Sequence, residues 1–404
     1  MKKIFSMAAM LSVALSGMAQ TESTDSVEKK PQGFVFTDVV TIPSTSVKNQ
    51  NKSGTCWSFA GTGFIEDAVR KVKGDSLDLS EMFTVRQCYL DKARRYVRLQ
   101  GKGTVDQGGS IVDVAYVMDN YGAIPEEVYN GLNYGEEKHD HAELSRALMA
   151  YMNAVAGSRK MTTAWEAGLN GILDAYLGPV PETFEYQGKT YTPKSYAESL
   201  GLDFGNDFVA LTSFTHHPYY KPFALEVCDN WLWAPYYNVP LDEMMNIIDN
   251  ALENGYTVNW AADVSEPGFK WKEGYAVLPA KKTEADLNGT ELSRWVTLSK
   301  ADREAEAYKY TGPSDLLEVN VTPEERQRMF DNHETTDDHG MVIVGTATDQ
   351  EGNKYYKVKN SWDTNQVYDG YFYASRPYVM AKTMSFMVHK DALPKNIKKQ
   401  LNIK

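Results

Sequence analysis

The sequence predicts an α+β protein, and two observations carry that reading: apolar residues recur at helical spacing early in the chain, and short apolar runs bounded by turn residues fill its last part. From residue 34 to about Pro125 helical patterns dominate. Trp57, Ala60, Phe64, Ala68 and Val72 recur at intervals of three and four, one face of an amphipathic helix. Ile111, Ala115 and Met118 make a second helical face, stopped by Tyr121-Gly122. Between roughly 130 and 325 the pattern is mixed. A helix is expected around Leu144 to Ala154, aromatic-rich loops from Thr215 to Tyr237, and a helix from Leu241 to Asn254 closed by Gly255. The charged stretch from Lys281 to Lys309 reads as solvated helix or loop. Met341 to Gly345 is then a buried-strand candidate, Asp349 to Asn353 a turn containing Gly352, and Tyr355 to Lys359 and Tyr371 to Tyr373 further strands. No segment repeats at a fixed period, which argues against solenoids and propellers.

Composition narrows the function classes. The 404 residues carry 42 Lys+Arg against 54 Asp+Glu, a formal net charge of −12. Such a chain lacks the basic surface from which nucleic-acid binders draw affinity, so no nucleic-acid partner is expected. Three cysteines cannot build a disulfide framework. Cys88 and Cys228 are expected as buried free thiols, with a disulfide between them in an oxidising compartment as the alternative.

The N-terminus reads as an address. Lys2 and Lys3 precede an apolar run from Ile4 to Leu15, and Ser16-Gly17-Met18-Ala19 supplies small residues for cleavage. Residues 1–19 are therefore expected to be a signal peptide, too short to span a bilayer permanently and not followed by a cysteine for lipid attachment. An exported product, periplasmic or extracellular and without an integral membrane segment, is the expectation. Residues 20–33 are polar, as in a flexible segment.

Cys56 stands where the Gly-containing loop Gln50-Asn51-Lys52-Ser53-Gly54-Thr55 enters the first amphipathic helix. Unpaired N–H groups at a helix N-terminus favour a thiolate, which is the nucleophilic form of cysteine. A nucleophilic thiol needs a base and a group that orients the base. His339 directly precedes the apolar strand candidate and Asn360 ends the next β-rich run, so both can lie on neighbouring strands facing the helix. Gln50 supplies a side-chain amide donor for an oxyanion. The pairs His139/His141 and His216/His217 have no Cys or Glu at zinc-site spacing; they read as surface or loop histidines, and neither a metal nor a cofactor is expected.

Together these segments resemble the papain-like cysteine peptidases. Gln50 to Phe59 is similar to their active-site signature, Asp338-His339-Gly340 to their histidine segment, and Asn360-Ser361-Trp362 to their asparagine segment. Leu79-Ser80-Glu81, Asp106-Gln107-Gly108-Gly109 and Tyr121 to Pro125 match in the same order. His339 follows Cys56 by 283 positions, against about 130–150 in the ordinary pattern. Ser53 and Asp106 occupy places where secreted papains carry a disulfide pair. Both departures resemble the bleomycin hydrolase and aminopeptidase C branch, which has a long helical insertion.

The resemblance implies a two-lobed fold over residues 34–390, with a helical lobe, an antiparallel barrel-like lobe, and a largely helical insertion at roughly 130–325. It implies peptide substrates, with Cys56, His339, Asn360 and Gln50 catalytic. Gly108 and Gly109 are either a glycine wall for substrate backbone or a simple loop. Trp362 is either a substrate-side shield over the histidine or a core residue. The branch implies an aminopeptidase, with endopeptidase or retired peptide-binding activity as the alternatives, and a homo-oligomer, hexameric in relatives. In those relatives the C-terminal arm enters the cleft and its carboxylate meets the substrate amine. Residues 391–404 are instead a basic tail, expected to be a solvated end. Asp363, where the family has Gly, is expected to tolerate a left-handed turn.

Overall fold

A computed structural model describes residues 33–404. The expected signal peptide over residues 1–19, and nearly all of the 20–33 segment, lie outside the described residues. The amphipathic pattern at Trp57 forms the helix Cys56–Lys73. Its apolar face packs on a second helix, Glu81–Arg98, whose N-cap Ser80 accepts from the Phe83 N–H at 3.0 Å, a contact contributing about 1 kcal/mol. The Ile111 pattern becomes the helix Asp113–Asn120, and the expected Leu144 helix runs from Ala142 to Ala156. With the helix Ala164–Leu177 these bury Phe64, Val69, Phe83, Val114, Leu148 and Leu173 in one core.

A second core lies across the sheet, around Trp260, Ile343, Tyr356, Phe372 and Phe386. The strand His339–Thr348 pairs antiparallel with Lys354–Lys359, which pairs antiparallel with Tyr371–Ser375. On its other side it pairs with Val258–Ala262, which in turn pairs with Thr383–His389. All five residues of Val258–Ala262 are buried.

The region from 130 to 325 carries more helix than strand, from Ala142–Ala156 to Lys300–Glu306 and including Leu241–Glu253, but it also supplies Val258–Ala262, a central strand, and Phe208–Thr212, which pairs with Thr383–His389. A strand buried on both faces has no alternation to betray it, so its pattern is that of any short apolar run. The sheet is antiparallel through its centre and has two parallel pairs nearer its ends. Phe208–Thr212 with Pro235–Asn238, and Tyr371–Ser375 with Tyr275–Ala276, are parallel pairs, and among the described residues no pairing joins the outer strands Pro222–Ala224 and Phe269–Lys270 into a barrel.

The basic end is anchored on one side while its lysines stay at the surface. Lys395–Leu401 is a helix that buries Ile397 and Leu401 in the sheet core, while Lys398 pairs with Asp391 at 2.9 Å on the outside. Among the described residues no helix is long and apolar enough to cross a membrane.

Candidate active site

Cys56 is the first residue of its helix, and His339 opens the strand laid across that helix start. The two elements touch closely because residue 340 is glycine. A Cβ there would lie 3.0 Å from Cα and 3.2 Å from N of Trp57, against backbone that cannot yield. Cys56, His339 and Gly340 line one small cavity with Gly109, Asp229 and Asp337.

Asn360 follows the strand antiparallel to His339, and its Oδ1 lies 2.7 Å from His339 Nε2. The same oxygen accepts the Ser361 N–H at 2.7 Å, which fixes the amide orientation. Nε2 therefore carries the proton and donates it, leaving Nδ1 to act as the base. Trp362 lies on the imidazole, ring centroids 4.5 Å apart and planes at 31°. It covers the histidine and is not part of the cavity lining, so the structure favours shielding over direct substrate contact for this residue.

Gln50 is buried and held at three points. Its N–H donates to Ser361 O at 2.9 Å, its Oε1 accepts from the Ser361 hydroxyl at 2.7 Å, and its Nε2 donates to Ser53 O at 2.8 Å. The second Nε2 hydrogen is free for another acceptor. Gly54 N donates to Gln107 Oε1 at 2.7 Å and the Trp57 indole to Gln107 O at 2.9 Å, so the nucleophile loop is tied to the 107–109 segment. Gly109 lines the cavity, and a Cβ on it would lie 2.6 Å from the Trp57 ring. Gly108 is covered: a Cβ there would collide with the Asp229 carboxylate. Asp363 takes φ 70° and its carboxylate accepts from Asn49 at 3.0 Å, so the turn survives without glycine.

Burial opposes charge on both reactive groups. It pushes the Cys56 thiol up to about 11, against backbone N–H donors from Gly340 and Trp57 that favour the thiolate, and with Asp337 and Asp229 adding to the rise. It pulls His339 down to about 4, against the Asn360 bond. The helix N-terminus therefore does not lower this thiol on its own. A proton moved from the thiol to the imidazole would form two opposite charges at once, each stabilised by the other.

Other expectations meet the structure as follows. Among the described residues the cysteines are free; Cys88 is buried but Cys228 is exposed, on the loop beside Asp229. His141 is fully buried with neither ring nitrogen bonded, so it is a core residue, not a surface one. His216 and His217 each bond one oxygen of Glu226, at 3.1 and 2.9 Å. Folding thus adds the glutamate that local spacing lacks, giving three residues with metal-ligand chemistry within 4.8 Å of one another. Asp229 and Asp337 escaped the sequence reading. Asp337 is two residues before His339, and its position is a signal; Asp229 comes from a distant loop and leaves none.

A thiol at a helix start, an oriented imidazole on a strand and a buried amide donor fixed by the segment after Asn360 make the machinery of a cysteine peptidase. The model for the papain family cysteine proteases matches residues 37–198, and that for the peptidase C1-like family matches residues 273–404. The chain belongs to the papain-like cysteine peptidase superfamily, in the bleomycin hydrolase and aminopeptidase C branch. Aminopeptidase C of Lactococcus lactis subsp. cremoris is 24% identical over 392 residues, covering 86% of this chain and 81% of that protein. Aminopeptidase C of Lactobacillus delbrueckii subsp. lactis is 23% identical, covering 94% and 88%. The mitochondrial cysteine proteinase 1 of Saccharomyces cerevisiae is 20% identical, covering 91% and 80%. The crystal structure of PepW from Lactobacillus rhamnosis shares the fold, with a TM-score of 0.69 at 18% identity over 91% of this chain and 84% of that one.

Proposed function

We propose that this cysteine peptidase is an exported aminopeptidase in which Cys56, His339, Asn360 and Gln50 carry the chemistry. The observation that supports these roles best is the His339 Nε2 to Asn360 Oδ1 bond, because it leaves Nδ1 as the basic nitrogen of a ring that lines one cavity with Cys56. Cys56 Sγ attacks the scissile carbonyl carbon as its proton passes to His339 Nδ1. The oxyanion is held by the Gln50 Nε2 amide and the Cys56 N–H, donors set before the charge forms. The imidazolium returns its proton to the leaving amine, and the C–N bond breaks to give a thioester. Water, deprotonated by His339, then releases the acid and restores the thiol.

Similarity to proteins named aminopeptidase C supports a preference for free N-termini, and residues 1–19 support export. Replacing Cys56 by Ala is expected to abolish hydrolysis of amino-acid amides while the protein still folds; persisting turnover overturns the assignment. Efficient cleavage of N-acetylated peptides by the unaltered enzyme would make it an endopeptidase instead. Mass spectrometry of the protein from the periplasm or medium is expected to find the chain starting after Ala19.

A further inference from the structure

An enzyme that reads a free N-terminus must place an anionic group one residue's length from its nucleophile. The C-terminal arm does not supply it here: residues 402–404 line a separate cavity with Tyr116, Phe204 and Tyr237, a cavity that excludes Cys56 and His339. The Cys56 cavity nevertheless holds two carboxylates of its own, Asp229 and Asp337. Neither forms an ion pair among the described residues. Lys92, whose charge acts on Asp229, spends its ammonium on the Asp106 and Gly108 carbonyls.

We infer that Asp229, seconded by Asp337, binds the α-ammonium group of the substrate and limits the cleft to one residue ahead of the scissile bond. The assignment rests on the aminopeptidase reading above. Asp229 does two things at once. Its carboxylate covers Gly108 and accepts the Gly109 N–H, which occupies the backbone wall that a longer peptide would need. It also leaves a negative charge facing the cavity, where an acyl-blocked nitrogen offers none in return. Among the described residues Asp337 has no hydrogen-bond partner, and burial together with the neighbouring Asp229 and Asp338 charges pushes it up to about 7. Two carboxylates that repel each other in an enclosed space are relieved by one incoming ammonium.

The test compares matched substrates, an amino-acid amide with a free amine and its N-acetyl counterpart, in the intact protein and in Asp229→Asn. The free-to-blocked ratio of kcat/KM is expected to fall about 30-fold or more, mostly through KM of the free substrate. Asp337→Asn should move the ratio the same way by less. Asp229→Ser serves as the second variant should the first not fold, and alkylation located at Cys56 by peptide mass mapping, apart from that at the exposed Cys228, verifies an intact site. If the unaltered enzyme shows no preference for free amines, the aminopeptidase reading fails and this assignment with it. If it shows the preference and both Asp229 variants keep it, the assignment alone is overturned.

Discussion

Asn360 Oδ1 accepts from His339 Nε2 at 2.7 Å while also accepting the Ser361 N–H at the same distance. One oxygen thus sets both the tautomer and the tilt of the imidazole. Removing it in Asn360→Ala leaves the ring free to turn and to exchange tautomers. A fall in kcat of about 10- to 100-fold is expected, with little change in KM, measured on an amino-acid amide.

Ser361 is a less conspicuous support. Its hydroxyl holds Gln50 Oε1 at 2.7 Å, so the amide presents nitrogen toward the oxyanion. Ser361→Ala should lower kcat several-fold and cost about 1 kcal/mol of stability. Gln50→Ala should lower kcat by about 100-fold or more, as for loss of an oxyanion donor. Steady-state kinetics on both variants checks the ranking.

Gly340 decides how near the histidine strand comes to the nucleophile helix. Gly340→Ala places a methyl 3.0 Å from Trp57 Cα, and neither backbone can retreat without separating His339 from Cys56. We expect about 1–3 kcal/mol of destabilisation in urea melts and a loss of kcat larger than that of a purely structural variant of equal stability.

Glu66 gives a pH prediction. It is buried in the nucleophile helix and accepts the Leu79 N–H at 2.8 Å, yet burial pushes its carboxyl up from 4.5 to about 7. The folded state therefore holds the proton more tightly than the unfolded state. Its contribution is present in full below about pH 4.5 and is lost as pH rises to about 7, at most about 3 kcal/mol. Glu126, pushed up to about 8, and Glu81 act in the same direction. Urea unfolding should show the protein more stable at pH 5 than at pH 8, with a smaller difference in Glu66→Gln.

The parts of the site that were legible in the sequence are those whose chemistry is local. Cys56 follows a glycine loop at a helix start, and His339 and Asn360 sit at the ends of two runs that pair as adjacent strands. The helix at 241–253 was legible because it buries a single face, and that at 56–73 because its large apolar residues keep helical spacing although residues 57–69 are buried all round. Val258–Ala262 was not, since burial on both sides erases its alternation. His141 and Glu226 were misjudged for the converse reason: what buries the first, and what brings the second to His216 and His217, comes from tertiary packing. Asp229 belongs to the same class, a loop residue that acquires its meaning only when laid over Gly108.

The central strand Val258–Ala262 also governs when this molecule can become a peptidase. It is flanked by strands that begin at His339 and Thr383, so neither face of the sheet is complete until those late segments have been synthesised. Distant pairings of this kind form slowly. A nascent chain would therefore carry Cys56 without its base, and the order of synthesis itself would keep the thiol harmless until nearly the whole polypeptide has emerged and closed.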